Sequence, residues 1–384
     1  MRPATRAHGT PPAVRAPAEA GPIETYPAPP PLEVAPPGVE GAPDEATPPT
    51  VSAPPQPGTQ MPATPTSNRI ALVLPLDEPA FARAASAVRD GFLDAAAAAR
   101  RSDDCIVIAH RGSDVVGAFA AARDKGVQVA VGPLVRDDLK ALASANVALP
   151  WTLALNQLAD GTPLPPAIYA FPLTVESDGR TLAKRARASG ASPIAIVQGD
   201  SPLMKRLSSS FAIEWTGSGG APPSVLRFDP SPEGLGTLRT TLGRNAPGAV
   251  LLAVTGDYAA LVKPFIGNVI AYASGLVFER PSPAVARDLD DVRVVEIPWL
   301  LTPNAPQFAS IPHRDFDSDA LARLYALGRD AFVIAQSFHD GPPDRFETDG
   351  ATGHIALVPG RLFQREGMLG VYRDGALVPL DSTP

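Results

Sequence analysis

Residues 69–74 read RIALVL, residues 105–110 CIVIAH and residues 127–132 VQVAVG, and between them lie two stretches of helix length, 79–100 and 113–125. Each apolar run is continuous rather than alternating. That pattern belongs to strands buried on both faces, and the intervening helices mark a parallel sheet covered on both sides. In the first helical stretch Phe81, Ala85, Val88 and Phe92 fall at i, i+4, i+7 and i+11, one stripe of an amphipathic helix. Residues 69 onward are therefore predicted to form an α/β protein.

The series continues with a helix over 134–145, a strand at 148–155 (ALPWTLAL), a loop at 161–172 and a helix over 175–189. That last helix carries Lys and Arg toward its carboxyl end, as the macrodipole favours. A second series of the same kind follows. It comprises PIAIVQ (193–198), a helix near 203–215, a strand at 225–228, a helix near 235–242 and AVLLAV (249–254), and then VIAYA (269–273) and VRVVEI (292–297). Two such series joined by a loop predict two similar lobes, each a mainly parallel sheet flanked by helices, with a cleft between them. The expected division puts 69–172 and about 274–338 in lobe 1, and 173–273 and about 339–380 in lobe 2.

After an irregular stretch to Phe316, Asp317 or Ser318 is placed to cap a helix in which Leu321, Leu324, Tyr325, Phe332 and Ala335 share one face. Residues 354–357, 361–365 and 370–373 alternate like antiparallel strands, and Asp374-Gly375 is a hairpin signal. A small antiparallel appendage is expected to close the chain.

The chain has 384 residues, 45% apolar and 19% charged, enough to bury a large core. That core is unevenly spread, because 19 of the 46 prolines precede Asn68. Residues 1–68 bury too little apolar surface to offset chain entropy and read as a disordered tether. Thirty-three cations against 40 anions leave −7, with no basic cluster. Nucleic acid is excluded as a partner, since phosphate neutralisation requires clustered cations. Cys105 is the only cysteine, so no intrachain disulfide forms, and its apolar setting marks a buried structural thiol. No run of about 18 apolar residues predicts a transmembrane segment. Residues 1–20 lack the apolar centre of a secretory signal.

Open α/β sheets bind ligands at the carboxyl ends of their strands. Those ends carry Asp77, Gly132-Pro133-Leu134, Asn156, Gly199-Asp200 and Thr255, and with Tyr272 on the strand at 269–273 these are the candidate ligand-binding residues of the cleft. Backbone amides at the helix starts beyond them favour anions and carboxylates. No nucleophile elbow and no phosphate loop occurs, and Gly234-Leu235-Gly236 lacks both a preceding strand and a third glycine. No two of His8, His110, His313, His339 and His354 stand three to five residues apart. His339 with Asp340 and Asp344 therefore reads as a solvated loop rather than a metal site. No catalytic residue, metal or cofactor is assigned.

The lobe order, Gly132-Pro133-Leu134 after the third strand and LALN (153–156) ending the fourth resemble the type I periplasmic binding-protein fold. More specifically, VIAYAS (269–274), VEIPWL (295–300), RLYALGRDAF (323–332) and DGATGH (349–354) resemble, in that order, the LppC family. These are outer-membrane lipoproteins known as penicillin-binding protein activators, and the resemblance covers about residues 69–380. It implies a non-enzymatic regulator, periplasmic and associated with the outer membrane, that promotes peptidoglycan synthesis by contacting a bifunctional class A penicillin-binding protein. Peptidoglycan is a further implied partner, and no cofactor is implied. A helical-repeat domain commonly precedes this one in the family, whereas residues 1–68 lack that pattern and show neither a lipobox cysteine nor an export signal. The alternative is a solute-binding protein of an ABC transporter for an amino acid or small peptide, which has the same fold. Such proteins hold a ligand carboxylate with a hydroxyl pair beside helix amides, but Gly132-Pro133 continues Leu134-Val135-Arg136. Tyr325 and Asp330 are expected to be structural, the former on the apolar helix face and the latter in local pairing.

Overall fold

The computed structural model describes residues 70–159 and 162–380, and the expected tether at 1–68 lies outside the described residues. The first series comprises β1 (Ile70–Leu74), α1 (Ala82–Ala98), β2 (Cys105–Ala109), α2 (Val115–Asp124), β3 (Val129–Val131), α3 (Arg136–Ser144), β4 (Trp151–Ala154) and β5 (Ile168–Ala170). These strands lie in the order β2-β1-β3-β4-β5, every pair parallel. β1 is buried along its whole length, which is why its sequence does not alternate.

The second series comprises α4 (Val175–Ala188), β6 (Ile194–Gln198), α5 (Pro202–Gly217), β7 (Ser224–Arg227), α6 (Pro232–Asn245), β8 (Ala249–Ala253), α7 (Gly256–Ile266), β9 (Ile270–Ser274), α8 (Gly275–Phe278), α9 (Pro283–Asp288) and β10 (Val292–Glu296). Its order β7-β6-β8-β9-β10, again all parallel, repeats the winding of the first. Three of its helices start with Ser-Pro. Ser201, Ser231 and Ser282 each accept a backbone N–H from the first turn, and the proline fills a position whose N–H has no partner in any helix.

The rest of the chain holds α10 (Pro298–Leu301), α11 (Asp319–Gln336), β11 (Glu347–Asp349), β12 (His354–Val358), β13 (Leu362–Glu366), β14 (Met368–Arg373) and β15 (Ala376–Pro379). Ser318 caps α11 by accepting the Leu321 N–H. Asp374 and Gly375, at φ 52° and 78°, turn β14 into β15 as the hairpin signal requires.

Four expectations are corrected. The stretch 161–172 contains β5 as well as loop. Residues 256–266 form α7, for which no helix was expected beyond its start. The closing strands are not an appendage: β11, β12 and β13 extend the first sheet, where Leu362 pairs parallel with Ala170, and β14 and β15 extend the second, where β14 runs antiparallel to β10. The strand membership of the closing third also differs from the expected division, since β10 lies in the second sheet and β11 to β13 in the first. Alternation marks a strand with one covered face, but it carries no information about which edge that strand will join.

α1 and α11 pack backbone to backbone over the first sheet. A Cβ on Gly91 would sit 1.9 Å from the Tyr325 carbonyl oxygen, and one on Gly328 would sit 2.0 Å from that of Val88. Only a pair of glycines permits this approach, and it brings the fully buried Phe92 and Phe332 edge to face at 5.3 Å.

Candidate functional site

The chain passes between the two sheets three times: from β5 into α4, from β10 into α11, and from β13 through the single residue Gly367 into β14. Each passage carries a buried charge. Asp178 lies in the first turn of α4, Glu296 ends β10 and Arg365 is next to last in β13, all at most 6% exposed. Arg365 donates from Nη2 to Asp178 Oδ1 at 2.7 Å, and the Ser274 hydroxyl at the end of β9 donates to Asp178 Oδ2 at 2.5 Å. Arg323 of α11 grips Glu296 with both ends of its fork, Nε at 2.9 Å from Oε1 and Nη2 on Oε2. Burial pushes the Asp178 carboxyl above the usual carboxylate range, while Arg365 and Ser274 pull it down. Burial also opposes the charge on Arg323, but Glu296 outweighs it and the guanidinium stays firmly protonated. The backbone fits closely around these groups: a Cβ on Gly275 would lie 2.1 Å from Glu296 Oε2 and 3.1 Å from Arg323 Nη2.

A second buried knot adjoins the first. Asp330 of α11, 1% exposed, accepts from Ala351 N at 2.8 Å, Thr352 N at 2.7 Å and Thr352 Oγ1 at 2.7 Å, and pairs with Arg329 at 2.6 Å. The loop so held returns the Ala351 carbonyl to Trp299 N at 3.1 Å. The Trp299 ring lies 5.2 Å from that of Phe308 and 5.4 Å from that of Tyr325. Tyr325 is fully buried and its hydroxyl donates to Asp94 Oδ2 at 2.8 Å. Residues from 269–274, 295–300, 323–332 and 349–354, widely spaced in sequence, thus meet in one connected buried network.

The family model described as "LppC putative lipoprotein" matches residues 60–231 and 233–375. The chain belongs to the LppC family. Among curated relatives of this LppC protein, the penicillin-binding protein activator LpoA of Escherichia coli (strain K12) is 26% identical over 311 residues, covering 68% of this chain and 45% of that protein. The chain spans about half the length of the curated relatives it matches. Among solved structures, a "putative branched-chain amino acid ABC transporter" from Chromobacterium violaceum ATCC 12472 is 31% identical with a TM-score of 0.71, covering 79% of this chain and 99% of that one. The C-domain of Haemophilus influenzae LpoA, described as a regulator of PBP1A, superposes with a TM-score of 0.70 at 21% identity, covering 82% of this chain and all of that one. Together these fix the architecture of the LppC chain as the two-lobed type I periplasmic binding-protein fold, while the lower-identity likeness carries the fold alone.

The residues expected to line a cleft are spread over several settings. Gly132, at φ 124°, would place a Cβ 2.1 Å from the Val73 carbonyl, and the Pro133 carbonyl accepts Leu155 N at 3.0 Å. Asn156 spends its Nδ2 on the Leu134 carbonyl at 2.9 Å and its Oδ1 on Gln157 N at 2.9 Å, so 132–134 and 156 close on one another. Asp77 is exposed, and its backbone N–H points to the His110 carbonyl at 3.4 Å. Gly199 sits against Met204, and Asp200 is an exposed partner of Arg227 at 2.7 Å. The Thr255 carbonyl accepts Ala259 N at the start of α7. Tyr272 is 1% exposed among the residues packed under α4 and α5, with its hydroxyl 3.2 Å from Ser189 Oγ.

A cavity of about 650 Å³ lies where the carboxyl ends of β5 and β9 face the start of α11, lined in part by Leu173, Leu276, Arg280, Ser318, Asp319 and Leu324. Sequence reasoning read Ser318 and Leu324 as the cap and apolar face of α11 but missed their meeting with Leu173, Leu276 and Arg280, which follow β5 and β9 in short loops and a one-turn helix that no periodicity signals. Their polar atoms are engaged: Arg280 pairs with Asp319, Nε lying 3.2 Å from Oδ2, and the Ser318 hydroxyl caps Leu321 N. Among the described residues no cluster of three or more His, Cys, Asp or Glu is arranged to hold a metal ion.

Proposed function

We propose that this chain is a non-enzymatic regulator of peptidoglycan synthesis that binds and activates a bifunctional, class A penicillin-binding protein. Its place would be the periplasm, in association with the outer membrane, as suits a family described as lipoproteins. No described helix is long and apolar enough to cross a membrane. The observation that carries the reading is what the four family-like segments do. Ser274, Glu296, Arg323 and Asp330 are spent on holding the three passages and the 349–354 loop, so the family signature maintains a shape rather than a reacting centre. A surface held rigidly in this way suits recognition of another protein. The nine cleft candidates fit this reading as scaffold around the strand ends.

The test is capture of a purified class A penicillin-binding protein by the full chain, with glycan polymerisation and crosslinking assayed in the same samples. Binding with a rise in either activity is expected. Absence of both would overturn the proposal.

The 31% likeness to a protein described as a branched-chain amino acid transporter favours a second reading, a solute-binding protein for an amino acid or small peptide. Such a ligand needs a free cation or hydroxyl for its carboxylate. In the 650 Å³ cavity Arg280, Arg323 and the Ser318 hydroxyl already have partners within the chain. A thermal shift on adding leucine, isoleucine or valine, through binding to the folded state alone, would decide for this reading.

A further inference from the structure

Away from that cavity, a hollow of about 830 Å³ opens between the second sheet and the 349–354 loop, within the range of about 300–1,000 Å³ typical of ligand sites. Its acidic groups already have partners. Glu366 pairs with Lys184, and His354 lies between Asp349 and Glu347, with Nδ1 2.8 Å from Asp349 Oδ1 and Nε2 3.0 Å from Glu347 Oε1, contacts that raise its pKa. Arg185, at the end of α4, and Arg293, on β10, have no acidic partner among the described residues. The guanidinium of Arg293 lies 5.9 Å above the Tyr272 ring, a contact that fixes its direction without neutralising it. The lining also includes Pro298, Leu369 and Leu380.

We propose that this hollow binds an acidic peptide, two of whose carboxylates pair with Arg185 and Arg293. Guanidinium matches carboxylate geometry in a fork, and the space far exceeds what a lone inorganic anion fills. The apolar walls accept the aliphatic part of such a ligand. The unpaired arginines and the hollow carry this binding independently of any role in wall synthesis.

Titration calorimetry on the full chain with a capped triglutamate peptide tests it, with capped triglutamine and inorganic phosphate in parallel. Saturable one-to-one binding of triglutamate, and none of triglutamine, is expected. Arg185→Gln and Arg293→Gln should each weaken it about tenfold, the effect of losing one charge-assisted contact. Arg239→Gln, at an exposed position on α6 outside the hollow, should leave it unchanged. Failure of triglutamate to bind, equal binding of triglutamine, phosphate binding at least as tight as the peptide, or indifference to both cavity arginines would each overturn the proposal.

Discussion

Arg365 donates to Asp178 at 2.7 Å across the point where the chain leaves the first sheet, and neither side chain is more than 2% exposed. A charge pair sealed this thoroughly gains little over an apolar pair, because desolvation offsets most of the attraction, but either member alone is a buried unpaired charge. Asp178→Asn or Arg365→Met should each cost about 3–5 kcal/mol in urea unfolding, and the double change much less than their sum. Additive costs would show that the pair does not act as a unit.

The glycine contact between α1 and α11 makes an unusual demand on a helix. Alanine is a better helix former than glycine by about 1 kcal/mol. At Gly328, however, the added methyl would meet the Val88 carbonyl at 2.0 Å. Gly328→Ala is therefore expected to destabilise by about 1–3 kcal/mol as the helices are forced apart. Chemical denaturation of the variant measures this, and any stabilisation would refute the contact.

Acid stability should carry the mark of Asp94. Burial raises its pKa, but hydrogen bonds from Arg314 and Tyr325 outweigh burial and hold the carboxyl below its ordinary value of 3.8. A carboxyl depressed on folding contributes stability above its unfolded pKa, and that contribution is lost as pH falls through the folded value. Between about pH 4 and the folded pKa, Asp94→Asn should flatten the decline of melting temperature with acid. A decline of unchanged steepness would mean that other carboxylates govern it.

Cys105 should be chemically quiet. Burial, with Asp104 nearby, pushes its thiol up to about 11, and the thiolate is the reactive form. Iodoacetamide labelling at pH 7.5, followed by mass spectrometry, should be far slower than that of free cysteine. Labelling at the free rate would place the thiol in a different environment.

How far the molecule could be read from its sequence depended on burial. β1, β6 and β8 are buried at nearly every position, so their continuous apolar runs identified them, and the repeat of one winding in the other followed. β5 escaped because three residues between prolines and turns make no pattern, and α7 because its interior Pro264 obscures a helix. Asp330 was anticipated as locally paired, and it holds the backbone of Ala351 and Thr352. The network of Asp178, Ser274, Glu296, Arg323 and Arg365 could not be foreseen, since its members come from five elements whose meeting depends on the strand order. Tyr272, Arg185 and Arg293 were legible as members of a strand, a helix and a second strand, but their meeting at one hollow was not, for the same reason.

Gly367 alone joins β13 to β14. A single residue spans at most about 3.6 Å, so the two halves of the molecule have almost no slack at that point to slide past each other. Two backbone dihedrals can still turn there. Any opening of the molecule must therefore be a swing about this joint, and lengthening the joint by even a few residues would trade that swing for an undirected looseness.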